Sequence, residues 1–244
     1  DDWYDATGFS GSSANAGWFG TLNEFEGMAG DDTVIGNGNT RIAFYSAREA
    51  VSVDLAAGTV AGGPSVGTDT LVGGVREVRG SNFDDTIAGS LGDDFLAGGN
   101  GNDLLRGGAG FDFLDGGPGS DRFDFDSPFE GIDTISFFEA FPGGDVLDIG
   151  ELLRDWTTYN SGTGVPLEDF VRLALDPAIF ATELQIDIDG SAGPASWQTV
   201  ARMFGAEGLN VADLLANGNL DIESDAVGQS LTGTPFNDFL VCVA

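Results

Sequence analysis

GGNGNDLLRGGAGFDFLDGGPGSDRFD, residues 98–124, writes one nine-residue pattern three times. Two preceding nonapeptides, GSNFDDTIA and GSLGDDFLA, carry the run back to Gly80 without a gap, so five consecutive rows place Gly first, Asp sixth and an apolar residue eighth. The aspartates are Asp85, Asp94, Asp103, Asp112 and Asp121; the apolar positions are Ile87, Leu96, Leu105, Leu114 and Phe123. Glycine reaches positive φ without steric cost, so the first six residues of each row can curl into a tight loop with carbonyls turned inward. The last three form a short strand, in which alternation sends only the eighth side chain to the interior. One row buries almost nothing; stacked rows share a core. The period therefore predicts a solenoid of short strands, two rows to a turn and a loop on each side. Asp85, Asp103 and Asp121 then line one edge, and Asp94 and Asp112 the other.

Identical carboxylates one rung apart repel, and the whole chain shares the problem. Forty acidic residues face nine basic ones, a formal net charge of −31, with every base an arginine and no histidine. Such a charge repels nucleic acid and anionic membrane surfaces and destabilises a compact state unless cations offset it. Disorder is not the answer, because 41% of the residues are hydrophobic and 19 are Phe. A hard dication between successive loops removes the repulsion by taking carboxylate and carbonyl oxygens from both. Ca2+ accepts six to eight oxygens at flexible geometry, whereas Mg2+ holds to a strict octahedron and keeps its water. Zn2+ and Cu2+ seek nitrogen and sulfur, which this chain offers in no cluster. The lone Cys242 excludes an internal disulfide framework.

The rows resemble the GGxGxDxUx consensus of RTX (repeats-in-toxin) proteins. The resemblance implies an all-β fold, a parallel β-roll with several Ca2+ ions between its loops. It also implies secretion through a type I ABC transporter, unfolded in a calcium-poor cytoplasm and folding in the calcium outside. The candidate metal ligands are Asp32, Asp85, Asp94, Asp103, Asp112 and Asp121, with the loop glycines Gly92, Gly99, Gly101, Gly108, Gly110, Gly117 and Gly119.

Asp32 enters by comparison. TLNEFEGMAGDDTVIG, from Thr21, lines up with GGVREVRGSNFDDTIAG, from Gly73, so Asp31 and Asp32 correspond to Asp84 and Asp85. The next row, GNGNTRIAF, has Arg41 at its sixth position; it either holds no metal or supplies a cation's charge itself. The alternating stretch around Val51, Val53 and Leu55 reads as further strands of the roll with longer loops. These pieces make residues 1–124 the β-roll, with repeat blocks at 27–44 and 80–124.

After Asp124 the glycine period stops. Residues 125–222 read as a β-rich capping domain with short helices, similar to the C-terminal target domain of type I secreted proteins. In DSPFEGIDTISFFEAFPGGDVLDIGELL, a DxI element and a later DxLDI strand resemble the run that closes the open end of a roll. Asp133 of GIDTI is a further candidate ligand, or a turn cap. DIDGS, from Asp187, lacks the Glu of a calcium loop and reads as a polar hairpin turn. Asn210 before Val211, Leu214 and Leu215, with Gly218 behind, predicts a short capped helix. Residues 223–244 read as the start of a further repeat block, with Asp238 of GTPFNDFLV at the sixth position. The chain opens at Asp1 without Met, as a piece of something longer would.

For function, the composition disfavours an enzyme: there is no imidazole base, no amine nucleophile and no HExxH. Close acidic pairs fall in repeat loops, where metal binding accounts for them. The expected role is a calcium-dependent folding and secretion module of a large extracellular bacterial protein, of adhesin or surface-layer type. Its partners would be calcium, the transporter during export, and a cell-surface polysaccharide or other extracellular protein. Alternatives are the accessory repeat module of a secreted epimerase, lipase or protease, and a Ca2+-dependent carbohydrate-binding module. For the last, Phe95 and Phe113 stack on one outer face, there to be covered by the segment after Asp124 or to form an aromatic platform. No apolar run is long enough to span a bilayer.

Overall fold

The computed structural model describes residues 2–8, 16–17, 20–21, 23–27, 29–157, 159, 164–190 and 196–223. The expected further repeat around Asp238, and Cys242, lie outside them.

The five rows form the strands Thr86–Ala88, Phe95–Ala97, Leu104–Arg106, Phe113–Asp115 and Arg122–Asp124. Successive rows go to opposite sheets. Ile87 pairs with Leu105 and Leu105 with Phe123 in one parallel ladder, while Leu96 pairs with Leu114 in the other. One turn is thus two rows, as the spacing predicts. The eighth-position side chains form two facing columns. Val53, Ile87, Leu105, Phe123 and Leu147 make one; Ile42, Val78, Leu96, Leu114 and Ile135 make the other, each at most 1% exposed. A fully buried aliphatic contributes about 1.5–3 kcal/mol, so this double column is the dominant favourable term of the roll.

The roll runs beyond the repeats in both directions, in a ten-stranded and a nine-stranded sheet. On the N-terminal side, the segment after Arg41 does supply strands, with a departure from the parallel plan. Val51–Asp54, Thr59–Gly62 and Thr68–Leu71 form an antiparallel meander in the ten-stranded sheet. The cause is loop length: a parallel return within one sheet needs a crossover of about a dozen residues. The connection from Asp54 to Thr59 is instead a tight turn, in which Ala57 N donates to Asp54 Oδ1 at 2.7 Å and Gly58 takes φ 71°.

On the C-terminal side neither sheet breaks at Asp124. Val146–Asp148 and Leu220–Asp221 extend the ten-stranded sheet. Asp133–Ser136 and Trp197–Phe204 extend the nine-stranded one, which ends in the antiparallel strands Ala181–Asp187 and Val171–Asp176. Strand Ala181–Asp187, which ends at the first residue of DIDGS, pairs antiparallel with Trp197–Phe204; residues 191–195 of the connection lie outside the described residues. The helix Val211–Asn217 forms where its caps predict: Asn210 Oδ1 accepts from Asp213 N at 2.9 Å, and Gly218 closes it at φ 77°. A second helix, Gly150–Trp156, buries Leu152 and Leu153. Asn219 Nδ2 then donates to the carbonyls of Asp145 at 2.7 Å and Phe141 at 3.1 Å, satisfying backbone that a further row would otherwise pair.

Candidate metal centre

The sixth-position aspartates are buried at the two edges where strands bend into loops, each at most 5% exposed. They are joined turn to turn. On the first edge Val51 N donates to Asp85 Oδ1 at 2.7 Å, Asp85 N to Asp103 Oδ1 at 2.8 Å, Asp103 N to Asp121 Oδ1 at 2.9 Å, and Asp121 N to Asp145 Oδ1 at 3.0 Å. On the second edge Asp94 N donates to Asp112 Oδ1 at 2.8 Å and Asp112 N to Asp133 Oδ1 at 3.1 Å. One oxygen of Asp85, Asp103, Asp112, Asp121, Asp133 and Asp145 is therefore fixed by the backbone of the preceding turn.

The other oxygen divides the rows into two kinds. Where the second residue is serine, the chain satisfies it: Ser81 N donates to Asp85 Oδ2 at 2.5 Å and Ser90 N to Asp94 Oδ2 at 2.6 Å. Where the second residue is glycine, Oδ2 of Asp103, Asp112 and Asp121 is buried with no partner. Three orphaned carboxylate oxygens in one repeat block are costly unless a cation completes them.

The space around those oxygens tests whether a cation fits. A Cβ on Gly98 would lie 2.1 Å from Asp103 Oδ2 and 2.7 Å from Gly116 O, the carbonyl of the next turn. One on Gly107 would lie 2.6 Å from Asp112 Oδ2 and 2.7 Å from Asp133 Oδ2. Oxygens of two successive turns thus converge beside the first glycine of a row, all of them hard donors suited to Ca2+. Among the described residues no three His, Cys, Asp or Glu side chains close around one point. A dication would draw much of its shell from main-chain carbonyls, as the loop glycines imply.

Those glycines do crowd the neighbouring turn. Added Cβ atoms would come within 2.2 Å of Ser81 O at Gly99, 2.5 Å of Phe83 O at Gly101, 2.5 Å of Ser90 O at Gly108, 2.0 Å of Gly99 O at Gly117 and 1.7 Å of Gly101 O at Gly119. Gly110 packs on the backbone of Gly92, whose own Cβ direction is open.

Electrostatics repeat the pattern. Burial, reinforced by neighbouring carboxylates, pushes Asp103 and Asp121 up to about 7 and Asp112 to about 6. Burial and the Asp112 charge raise Asp133 to about 8. Asp85 and Asp94 are raised by the same burial, against which their serine hydrogen bonds act.

Asp32 sits in a matching arrangement near the N-terminus. Asp2 N donates to its Oδ1 at 2.6 Å, and Asp32 N to Asp69 Oδ1 at 2.9 Å. Asp69, pushed up to about 6 by burial, and Asp145, likewise about 6, hold ladder positions that the glycine frame does not mark. Arg41 differs from the repeat alignment. Ile42 pairs with Val78, so this row is one residue short and Arg41 stands on the strand's outer side, not in the loop. There it bridges Glu24 at 3.0 Å and Glu77 at 2.5 Å.

Phe95 and Phe113 stack with centroids 4.8 Å apart and planes 10° from parallel, both half-buried. Strand spacing produces this stack, which turns their faces toward each other. Thr134 of the post-repeat strand Asp133–Ser136 is the next residue along from Phe113.

The family model for RTX calcium-binding nonapeptide repeats matches four copies in this chain, over residues 23–40, 79–114 and 98–127. A search of curated proteins finds no match. Among solved structures, the chain is similar to the AlgE6R3 subunit of the mannuronan C5-epimerase from Azotobacter vinelandii, at 23% identity and a TM-score of 0.22, covering 63% of this chain and 88% of that one. With its glycine-led rows wound into a parallel roll and carboxylate ladders along both edges, the chain carries, over residues 23–40 and 79–127, RTX nonapeptide repeats of the kind that bind several Ca2+ ions.

Proposed function

We propose that the chain is a calcium-dependent folding and secretion module of a large extracellular RTX protein, of adhesin or surface-layer type. The observation that carries this reading is the trio of buried, partnerless oxygens on Asp103, Asp112 and Asp121. Their carboxylates, with those of Asp32, Asp85, Asp94 and Asp133, are the proposed ligands, joined by carbonyls of Gly92, Gly99, Gly101, Gly108, Gly110, Gly117 and Gly119. Asp69 and Asp145 complete the ladders. Bound calcium supplies positive charge and a cross-link between turns.

The chain's own part is to set the threshold. Without metal, stacking the rows brings ionised carboxylates into a dry edge and fixes glycine loops whose entropy loss is the largest of any residue. The apolar column then cannot hold the roll against charge and entropy. In calcium-poor cytoplasm the polypeptide stays extended enough to thread a transporter, and millimolar calcium outside triggers condensation, in the affinity range of about 0.1–1 mM found for extracellular modules. Stacking occupies the faces of Phe95 and Phe113 that a pyranose would need, which weighs against an aromatic sugar platform there.

Far-UV circular dichroism and size-exclusion chromatography, with and without EDTA at low salt, test the reading. We expect an expanded chain in EDTA and a compact β-rich one once calcium is restored. A roll that stays compact after exhaustive chelation refutes it.

A further inference from the structure

Arg79 is the anomaly in a molecule with 40 acidic residues for nine arginines. Arg41, Arg106, Arg122, Arg154 and Arg202 each pair with carboxylates. Arg79, like Arg48, Arg76 and Arg172, forms no ion pair among the described residues, but its Nε is in addition buried without a hydrogen-bond partner. A guanidinium N–H removed from water and left unpaired costs about 1–3 kcal/mol, in a chain where an acidic neighbour is easily supplied.

The register shows how the vacancy is made. Arg79 ends the strand Val75–Arg79 and is paired across the sheet with Ala43 on one side and Ala97 on the other. Methyl groups flank it where longer side chains would cover it. Its nearest acids in that cross-strand line, Glu26 beyond Ala43 and Asp115 beyond Ala97, are two strands away, roughly 10 Å at ordinary strand spacing. The result is a cleft lined by Arg79, Tyr45, Ser81, Asn82, Ala97 and Asn100. Asn100 Nδ2 donates to Asn82 Oδ1 at 2.5 Å, which presents the two amides as one unit at the mouth. Tyr45, 45% exposed, stands beside them.

We infer that the Arg79 cleft is a binding site for a carboxylate group of an external ligand. A guanidinium offers a planar fork of donors matched to carboxylate geometry. The net charge of −31 selects the valence, because the field repels a phosphate dianion about twice as strongly as a monovalent carboxylate. The carboxylate can come from a small organic acid or from an acidic sugar, whose hydroxyls the amide pair and Tyr45 would meet.

The test uses the full chain saturated with calcium, 15N-labelled, with acetate, glucuronate and uncharged glucose titrated at constant ionic strength. Acetate and glucuronate should give saturable shifts centred on the Arg79 Nε–H and on the amides of Asn82 and Asn100, and glucose none. Arg79→Gln should weaken binding about tenfold or more while leaving the dichroism and calcium midpoint unchanged. Glucuronate binding tenfold more tightly than acetate identifies an acidic sugar; equal affinities identify a bare carboxylate. Should Arg79→Gln fail to fold, Tyr45→Ala carries the same comparison, with a several-fold loss confined to glucuronate if the ligand is a sugar. The inference is overturned if neither acid gives saturable shifts, or if Arg79→Gln binds them as the wild type does. Folding without calcium would end the calcium reading and leave this titration unaffected.

Discussion

Asp103→Asn and Asp85→Asn are the same chemical change on the same edge, and the structure assigns them opposite effects in the absence of calcium. Asp103 Oδ1 accepts from Asp85 N at 2.8 Å, and its Oδ2 has no partner. An amide at this position keeps the first bond and replaces the orphaned, charged oxygen with a neutral group. Burial has pushed the Asp103 carboxyl from 3.8 to about 7, a cost to the ionised folded state of ~4 kcal/mol at 1.36 kcal/mol per unit. Asp103→Asn removes that cost, so the chelated protein at neutral pH should become more compact. In calcium the same variant should bind more weakly, by about tenfold or more, because it loses a charged ligand. At Asp85 no such gain is available. Its Oδ2 accepts from Ser81 N at 2.5 Å, and its Oδ1 from Val51 N at 2.7 Å. Whichever way an amide is turned, its NH2 meets a backbone N–H, and one buried donor is left unpaired at about 1–3 kcal/mol. Asp85→Asn should therefore lose stability both with and without calcium. Urea titrations followed by circular dichroism, in EDTA and in saturating calcium, read all four values. Equal shifts for the two variants in EDTA, or a loss for Asp103→Asn there, would refute the claim that the orphaned oxygens set the calcium requirement.

Protons should partly replace calcium. For carboxyls whose folded pKa is raised, stability is fully present below the unfolded value near 3.8 and is lost as pH rises through the folded values, here about 6 for Asp112, 7 for Asp103 and Asp121, and 8 for Asp133. In EDTA the chain should gain β-structure as pH falls from about 8 toward 4, and dichroism that instead weakens steadily over that range would contradict the ladder electrostatics. Arg41→Met should destabilise by about 3–5 kcal/mol, since it strands the buried Glu77 beside Glu24; a calcium-saturated melt within a degree of wild type would show the triad to be dispensable. Asn210→Ala should cost about 1 kcal/mol through loss of the Asp213 N bond, with the calcium midpoint unchanged. Thermal melts in saturating calcium measure it, and no loss would mean the cap is idle.

The central roll was legible because its signal is redundant. Gly at the first place, Asp at the sixth and an apolar residue at the eighth each report the same turn, and five rows agree. What escaped was what the glycine frame does not mark. Asp69 and Asp145 occupy ladder positions without a GGxGx loop before them, and the meander from Val51 to Leu71 reverses direction on a turn only four residues long between Asp54 and Thr59. Nor did sequence show that Arg41 is displaced by one residue, since a shortened row looks like a full one until Ile42 is seen beside Val78.

A shorter pattern recovers the missing ladder positions. Asp32, Asp69, Asp85, Asp94, Asp103, Asp112, Asp121, Asp133 and Asp145 all stand two residues before an inward-facing apolar side chain: Val34, Leu71, Ile87, Leu96, Leu105, Leu114, Phe123, Ile135 and Leu147. The reason is geometric. The apolar residue fixes which face of the strand points inward, and two residues earlier the chain is leaving the loop with its side chain on that same face. Aspartate there is carried to the buried edge whatever the loop before it contains. Asp213 with Leu215 and Asp169 with Val171 share the spacing, but Asp213 lies in the helix capped by Asn210 and Asp169 in the 3-10 turn Leu167–Asp169, where period-two alternation does not hold. The glycines of the nonapeptide thus select which edges can accept oxygens from the neighbouring turn, while the Asp–x–apolar triplet delivers the carboxylate. Rows that keep the triplet and add a serine donor, as at Asp85 and Asp94, have part of their charge already satisfied by the chain. On the proposed reading, calcium dependence is concentrated where glycine follows glycine, because there Oδ2 of Asp103, Asp112 and Asp121 has no partner.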